Sequence, residues 1–486
     1  AEAGHWPVPV VAGYLAAILL LTLLPLLIAV PSAALLIYIG VTGGIFAGLA
    51  GAVAAGPLFV LVSCLVLIGV TRLVQPAATS GIYPARGWFA LRKWLAINVV
   101  ALAAALTRTL YCTLYVLPFL RGLGLRMGRW CEIATPVFID PRLTVLGDEC
   151  FLAGGVVTAP PLYHRGMLAL GQAELSRRGF LGNMALVPGG RRMGENSLLG
   201  VLSIAPVRPM DPETTWLGSP PIFLPRRQAS QSFPERLLYR PTRGQVVGRL
   251  LIEFVRLVLP EIILAASALV GVWATIRLAA AVPPPAVLTL MPALGFALGV
   301  AATLVTALLK WLVIGVYRPR TEPYWSLWVR RTELITGLFE SVVEPTVANQ
   351  LTGTPWLAPL LRLFGVHVGR RTWLGSTGGT EFDLVHIGDD AVVGEGSSVQ
   401  THLFEDRVMK MSHVWVADGA SVGSSGVVLY DAEVGRGGSL DPLSLAMKGE
   451  SLPAGSHWRG IPARPTEPIE VIEPTEEVSD DRALRP

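Results

Sequence analysis

Apolar residues recur at six-residue intervals in the C-terminal part of the sequence, a spacing that neither a helix nor a single strand produces. An α-helix repeats every 3.6 residues and a β-strand every two. A period of six predicts short parallel strands that coil on one another, so that stacked coils bury one continuous core in a β-solenoid. The positions are Ile387, Val393, Val399, Val416, Val422, Val428, Val434 and Leu440.

An earlier part of the chain repeats this pattern at a constant distance. The segment LGLRMGR at 123–129 matches FGVHVGR at 364–370, an offset of 241 residues. The alignment continues without a gap as far as Leu202, which pairs with Leu443. A gapless match over this distance predicts two copies of one solenoid.

Two stretches are apolar enough to enter a bilayer, in keeping with 52% hydrophobic and 15% charged residues. The first, from Pro7 to Thr71, contains no Asp, Glu, Lys or Arg. Because a span needs about 20 residues, we predict two spans with the likeliest turn at Gly40, Gly43 and Gly44, and three spans are the alternative. The second stretch predicts spans at about 255–281 and 286–316, joined by three prolines.

Basic residues follow each pair of spans, which by the positive-inside tendency places those ends in the cytoplasm. Both solenoids should therefore face the cytoplasm from a multi-pass protein of the cytoplasmic membrane. After the first pair, only the twelve residues 95–106 lack charge, too few to cross. They predict a helix in the membrane interface, and a buried core helix is the alternative. The counterpart at 327–345 carries five charged residues, so neither copy should span.

The chain thus divides into eight segments in which membrane hairpins alternate with solenoids. They are a transmembrane helical hairpin (1–75), interfacial helices (76–122), a first hexapeptide-repeat domain (123–222), a linker (223–248), a second transmembrane hairpin (249–317), interfacial helices (318–363), a second hexapeptide-repeat domain (364–465) and an acidic tail expected to be disordered (466–486). Because the net charge is only +4, without a dense basic stripe, no nucleic-acid partner is expected. The four cysteines form no CxxC pair, so no metal site is expected.

One interruption of the second solenoid holds most of the ionisable chemistry. Between Val399 and Val416 lies the insertion THLFEDRVMKMSHVW, whose ionisable residues include His402, Glu405, Asp406, Arg407 and Lys410. A histidine beside carboxylates can act as a general base. The carboxylates could hold an ammonium group, and Arg407 or Lys410 could stabilise an oxyanion. The alternative is a solvated loop with internal salt bridges. Solenoid insertions tend to lie on a functional face, which favours the site.

The duplication provides an internal control for this hypothesis. At the equivalent positions of the first copy, the residues are Pro161, His164, Arg165 and Gly166. The first copy is therefore predicted to be structural or substrate-shaping and the second catalytic, with His164 a weaker candidate. Glu381 and Asp383 could line the same cleft, and turn chemistry is the alternative. The remaining histidines of the second copy are predicted to be surface or packing residues: His367, His386, His413 and His457.

Several segments resemble known families. QTHLFEDRVMKM at 400–411, TEFDLV at 380–385 and GRRTWLG at 369–375 resemble the membrane-embedded C-terminal region of non-ribosomal peptide synthetases of the ε-poly-L-lysine synthetase type. The coils and the closing GIPAR at 460–464 resemble the left-handed β-helix of hexapeptide-repeat acyltransferases. The expected fold class is thus membrane α plus β-solenoid, with two helical hairpins alternating with two left-handed parallel β-helix domains.

The resemblance implies an amide-bond-forming enzyme that makes a homopoly(amino acid) such as ε-poly-L-lysine. Its donor would be an aminoacyl thioester on the phosphopantetheine of an upstream carrier domain, with no cofactor in this chain. The implied partners are the lipid bilayer, upstream adenylation and carrier domains, an amino acid or growing peptide, and a third solenoid from upstream or from another protomer. Arg464 would bind substrate. A CoA-dependent acyltransferase and a non-catalytic scaffold or export conduit are the alternatives.

Overall fold

The computed structural model describes residues 6–77, 80–225, 232–377 and 379–467. The acidic tail lies outside these residues except for its first two positions, so its predicted disorder stays a prediction. The helices, in order, are α1 (Val8–Val74), α2 (Trp88–Leu106), α3 (Val116–Leu123), α4 (Glu235–Leu238), α5 (Arg243–Ala281), α6 (Pro284–Val313), α7 (Leu327–Leu338), a π-helix (Phe339–Ala348), α8 (Asn349–Leu351) and α9 (Leu357–Phe364), with 3₁₀ turns at Arg108–Leu110 and Phe382–Leu384.

The first apolar stretch folds into two helical halves that meet at Gly44. This residue has φ +78° and ψ 178°, a conformation that glycine adopts without steric cost. The halves then pack closely, since a Cβ added to Gly48 would lie 3.1 Å from the Cα of Gly40. The turn therefore lies at one of the glycines where it was predicted, and α1 consists of two helices rather than three.

Within the described residues, four helical stretches are long and apolar enough to cross a membrane by length and composition. They are α1, α2, the stretch Glu235–Ala281 that contains α5, and α6. The 19 residues of α2 exceed the twelve uncharged ones counted in the sequence because the helix begins earlier, at Trp88. Lys93 on α2 is almost fully buried and pairs with Asp140. A lysine inside the protein favours the buried-core interpretation of this helix over the interfacial one.

The coil strands of the two solenoids form two sets of three sheets in the described residues, and each hairpin forms a further three-stranded sheet. In the first set, the sheets comprise Arg126–Met127, Thr144–Leu146, Ala173–Leu175 and Arg192–Met193; then Glu132–Ile133, Phe151–Leu152, Phe180–Leu181, Leu198–Leu199, Thr215–Leu217 and Ile222–Leu224; then Phe138–Ile139, Val157–Thr158 and Leu186–Val187. Neighbouring strands are parallel, except that the last strand of the six-stranded sheet is antiparallel.

The second set repeats this arrangement. Its sheets comprise His367–Val368, Val385–Ile387, Val414–Val416, Glu433–Val434 and Ser451–Leu452; then Trp373–Leu374, Val392–Val393, Ser421–Val422, Ser439–Leu440, His457–Arg459 and Arg464–Thr466; then Ser398–Gln400, Val427–Leu429 and Leu445–Ala446. Val422 pairs in parallel with Leu440, 18 residues later, and both side chains are buried. Three six-residue repeats per coil, each a short strand followed by a turn, explain the sequence period.

The insertion in each copy is a β-hairpin rather than the loop predicted from sequence. In the second copy, His402–Glu405 pairs antiparallel with Val408–Met411, and a third strand, Arg320–Pro323, extends this hairpin. The first copy has the same arrangement, with Leu162–His164, Met167–Leu170 and the preceding strand Gly81–Pro84. The preceding strand leads directly into α2 or α7, so the hairpin ties each solenoid to its membrane-proximal helix.

The two solenoids contact each other through the second hairpin. The ring of Phe404 packs against Phe151 of the first solenoid at a centroid distance of 5.4 Å. Near the C-terminal ends of the two solenoids, a Cβ added to Gly218 would lie 2.6 Å from the carbonyl oxygen of Ile461. The solenoid that faces the His402 hairpin is therefore the first copy within the same chain. A third solenoid is not needed to cover it and stays a prediction.

Candidate functional site

Two cavities of similar size meet at His402. The first, of about 240 Å³, lies between the solenoids and is lined mainly by apolar side chains, among them Phe151, Phe180, Leu198, Trp216, Phe404, Leu445 and Met447. The second, of about 210 Å³, lies between the second solenoid and the π-helix. The π-helix contributes two carboxylates to it, Glu340 and Glu344. Helices of this type are rare and occur frequently at functional sites.

Glu381 holds the imidazole of His402. Its Oε2 lies 2.7 Å from Nδ1 of His402 and accepts hydrogen bonds from the hydroxyls of Thr401 (2.6 Å) and Thr380 (2.7 Å). Glu381 is fully buried, whereas about a quarter of the His402 side chain is exposed. Because this contact occupies Nδ1, Nε2 is the ring nitrogen that can take a proton from a substrate.

The pair is electrostatically coupled. Burial disfavours the charged imidazolium, but the charge and hydrogen bond of Glu381 outweigh burial and raise the pKa of His402 above its ordinary value. Burial would also favour the protonated acid of Glu381. The imidazolium of His402 and the hydroxyl donors outweigh that effect and lower the pKa of Glu381. The carboxylate therefore stays ionised and makes His402 a stronger base than a free imidazole.

The second cavity concentrates negative charge. Burial and the neighbouring Glu344 raise the pKa of Glu340 to about 7. Burial also raises the pKa of Glu344, whose Oε1 accepts a hydrogen bond of 3.0 Å from Thr377. A cationic ligand in this cavity would favour the ionised form of both acids. The cavity is therefore suited to an ammonium group.

The other predicted residues of the insertion do not gather around His402. Glu405 pairs with Lys410 at 2.8 Å and with Lys448, at the edge of the first cavity. Asp406 and Arg407 form the hairpin turn, with positive φ angles of 48° and 60°. Neighbours in a strand or tight turn point in different directions. This explains why closeness in sequence was a poor guide here.

Arg407 reaches into the first solenoid. Its buried guanidinium donates to the carbonyl oxygens of Trp130 and Glu149 and lies 3.6 Å from the carboxylate of Glu132. Glu132 also binds Arg249 of α5 through two hydrogen bonds of 2.8 and 2.9 Å. These contacts make Arg407 a connection between the solenoids and α5. They give no support to the predicted oxyanion role of Arg407.

The predicted substrate-binding residues are separated. Asp383 is buried and pairs with Lys310 of α6 at 2.8 Å, and it also accepts from the amide of Tyr317 at 3.0 Å. It therefore links the solenoid to the second membrane hairpin. Arg464 is exposed on the last strand of the second solenoid. Of the three residues, only Glu381 contacts His402.

The first copy contains a matching cavity that lacks the counterparts of His402 and Glu340. Strand Gly81–Pro84 precedes its counterpart Arg320–Pro323 by 239 residues, which gives the offset of the helices that follow, while the solenoid offset is 241. At these offsets, the first copy has a cavity of about 220 Å³. Where the second-copy cavity is lined by Thr336, Phe339, Glu340, Gly379 and His402, this one is lined by Ile97, Val100, Ala101, Phe138 and Pro161. Asp140, the counterpart of Glu381, is paired with Lys93. The duplication therefore preserved the cavity but not its ionisable groups.

The π-helix accounts for the change of offset. The first-copy stretch from α2 through the 3₁₀ turn runs from 88 to 110, and its counterpart from α7 through α8 runs from 327 to 351, two residues more. The wider π-helix takes up extra residues within this stretch. The acids Glu340 and Glu344 were counted in the sequence only as obstacles to membrane crossing. Their absence from the first copy was the signal that could have identified them as site residues.

Substitution of Glu381 by glutamine should shift the pH dependence of catalysis. Loss of the carboxylate charge lowers the pKa of His402, so the base stays neutral to lower pH and the acidic limb of the pH–rate profile moves down. The maximal rate should fall at least about tenfold, because the imidazole becomes less basic and less well oriented. The measurement is the pH–rate profile, between pH 5 and 9, of the amide-bond formation that the sequence resemblance implies. Glu405→Gln is the control and should leave the acidic limb in place; an equal shift in both variants would contradict the pairing.

A comparison of the sequence with known proteins found a relative that is similar over most of this chain. No family model matches the chain. The chain is 35% identical over 415 residues to the delta-poly-L-ornithine synthetase of Acinetobacter baumannii (strain AB307-0294), which covers 85% of this chain and 31% of that protein. The chain thus spans about a third of the length of the curated relative that it matches.

Solved structures of hexapeptide-repeat and serine acetyltransferases match parts of the chain. A hexapeptide-repeat-containing acetyltransferase from Vibrio cholerae matches with 13% identity over 26% of this chain and 87% of its own length, with a TM-score of 0.22. Soybean serine acetyltransferase matches with 15% identity over 35% of this chain and 57% of its own length, with a TM-score of 0.21.

Proposed function

We propose that this chain, which is related to the poly-amino-acid synthetases, forms the amide bonds of a poly(amino acid) at the cavity pair around His402. The observation that carries the proposal is the position of His402. Its imidazole is held by Glu381 and lines both an apolar cavity between the solenoids and an acidic cavity under the π-helix. A condensation needs two substrates that meet at one base, and this geometry provides a compartment for each.

The acidic cavity suits the acceptor. A diamino acid such as ornithine or lysine carries two ammonium groups at neutral pH, one of which must lose a proton before it can attack. Glu340 and Glu344 can hold the retained ammonium by charge complementarity. The other nitrogen attacks as the free amine, after its ammonium proton has passed to solvent, and His402 can take the proton that this amine loses during the attack. The relative makes poly-ornithine by name, which fits a basic diamino acid as the monomer class.

The apolar cavity suits the donor, an aminoacyl thioester carried on a phosphopantetheine arm. The amine nitrogen attacks the thioester carbonyl carbon, and Nε2 of His402 takes the proton that the amine loses. The C–N bond forms as the C–S bond breaks, and the departing thiolate receives the proton from His402. The products are one amide and one thiol. No cofactor resident in this chain is needed for the step.

This function places the solenoids on the cytoplasmic side of the cytoplasmic membrane, where adenylation and carrier domains would deliver the thioester. The experiment supplies the chain, reconstituted in lipid vesicles, with an aminoacyl thioester of a carrier protein and a free diamino acid, with and without acetyl-CoA. Amide product in the absence of acetyl-CoA supports the proposal. A requirement for acetyl-CoA would favour the acyltransferase alternative, and no product with either donor would leave a scaffold or export conduit.

Substitution of Glu340 by glutamine should weaken the binding of a cationic acceptor. A charge-assisted hydrogen bond contributes about 1.5–3 kcal/mol, so the KM for the diamino acid should rise roughly 10- to 100-fold while kcat changes less. An acceptor of similar length that lacks the second ammonium group, such as norleucine, is the matched control, and its KM should change little. An equal rise in KM for both acceptors would mean that Glu340 does not bind the second ammonium group.

A further inference from the structure

Two residues line both cavities, and they come from different solenoids. One is His402 of the second solenoid; the other is Asn183 of the first. With the donor thioester in one cavity and the acceptor amine in the other, the carbonyl that is attacked must lie where the two cavities meet. Asn183 and His402 are therefore the side chains placed to touch the reacting atoms from either side.

The orientation of the Asn183 amide is fixed by a backbone donor. The amide N–H of Gly154 donates to Oδ1 of Asn183 at 3.0 Å. Because a backbone N–H can only donate, the atom that faces it must be the oxygen. The two N–H groups of Nδ2 make no hydrogen bond to the part of the chain that the structure describes, so they are available to a ligand.

The proposed reaction needs a hydrogen-bond donor at this place. Attack by the amine turns the thioester carbonyl oxygen into an oxyanion, and a preorganised donor stabilises that charge. The two cations predicted for this role are engaged elsewhere, Arg407 with the first solenoid and Lys410 with Glu405. Among the polar side chains of the first cavity, Lys448 also pairs with Glu405. Two neutral donors, Thr215 and Trp216, line the first cavity only, whereas Asn183 lines both cavities together with His402.

We propose that Asn183 is a catalytic residue of the first solenoid, whose Nδ2 donates a hydrogen bond to the thioester oxygen as it becomes an oxyanion. This inference rests on the proposed amide-forming function. Each solenoid then supplies one half of a single site: the first gives the oxyanion donor, and the second gives the base. The copy that has no base of its own is then also necessary for catalysis. At the offset of 241, the second copy has Ser424 in place of Asn183, so the donor belongs to one copy only.

The test is the isosteric substitution Asn183→Asp, together with Asn183→Ala. Aspartate keeps an oxygen for the Gly154 amide but replaces Nδ2 by a second carboxylate oxygen, which repels an oxyanion. Both variants should lower kcat about 100- to 1,000-fold, the usual cost of losing one oxyanion donor. The KM for the diamino acid should change less than threefold, since Glu340 and Glu344 are untouched. Ser424→Ala is the matched control and should keep the wild-type kcat.

A thermal unfolding curve for each variant shows whether the fold is intact. If both Asn183 variants fold and keep kcat within about threefold of wild type, the inference is overturned. If His402→Ala is then also fully active, the proposed function fails as well; if His402→Ala is inactive, only the assignment of Asn183 fails. A rise in KM without a fall in kcat would place Asn183 in acceptor binding and would also overturn the oxyanion role.

Discussion

Substitution of His402 by alanine should lower the rate of amide-bond formation by roughly 100- to 10,000-fold, the usual contribution of a general base. The physical reason is that no other described side chain combines contact with both cavities and a ring nitrogen able to accept a proton. The measurement is single-turnover formation of amide from a carrier-bound aminoacyl thioester. Membrane insertion should be unchanged, and the hydroxyls of Thr380 and Thr401, which still donate to the buried Glu381, should keep the variant folded at the assay temperature.

His164→Ala provides the matched control. His164 lies on the first-copy hairpin, in a position related by the duplication to Glu405, and is exposed. The neighbouring cavity of the first copy is apolar, and its one acid, Asp140, is already neutralised by Lys93. Loss of His164 should therefore change the rate less than threefold. Equal losses from both substitutions would contradict the assignment of catalysis to the second copy.

The six-residue period was sufficient to predict the solenoids, because the period reports a constraint on the backbone itself. Each coil needs three inward residues in 18, and a sequence that supplies them at Val422, Val428 and Val434 leaves few other ways to bury them. The turn at Gly44 was predictable for a related reason. Only glycine adopts its backbone angles without strain, and it lies in the middle part of a charge-free stretch that is too long for one span.

The site was less predictable because it is assembled from three distant parts of the chain. Glu381 reaches His402 across one coil of the solenoid, Glu340 comes from the π-helix, and Asn183 comes from the other copy. The sequence places Glu405 and Asp406 much closer to His402 than any of these. The hairpin turns those neighbours towards Lys410 and the turn region instead. Comparison of the two copies, residue by residue, was the one sequence-level signal that could have found Glu340.

The first solenoid has a role that its lost chemistry does not suggest. It closes the apolar cavity with Phe151 and Phe180, supplies Asn183, and receives the hairpin that carries His402. A single convex solenoid offers no such cleft. Two copies of which only one carries the base therefore form one enclosed site per pair rather than two open ones. On this reasoning, the contact between the copies is as important to activity as the groups that react.

Substitution of Arg407 by alanine should test that contact through stability rather than chemistry. Removal of the guanidinium leaves the carbonyl of Trp130 and one face of Glu132 without their buried partner. Loss of one member of a buried ionic network costs about 3–5 kcal/mol. The unfolding midpoint in detergent, followed by tryptophan fluorescence, should therefore fall by several degrees. Arg165→Ala, in the exposed turn of the first hairpin, is the control and should change the free energy of unfolding by about 0.5 kcal/mol or less.

The two roles considered for Arg407 make different predictions for the catalytic rate of those variant molecules that are folded. If Arg407 only holds the solenoids together, the rate per folded molecule at low temperature should stay within about tenfold of wild type. If it stabilised the oxyanion, kcat should fall about 100-fold or more with the unfolding midpoint unchanged. Because the guanidinium is already engaged by Glu132 and two backbone carbonyls of the first solenoid, we expect the first result. A fall in kcat alone would return the oxyanion role to Arg407 and would leave Asn183 without it.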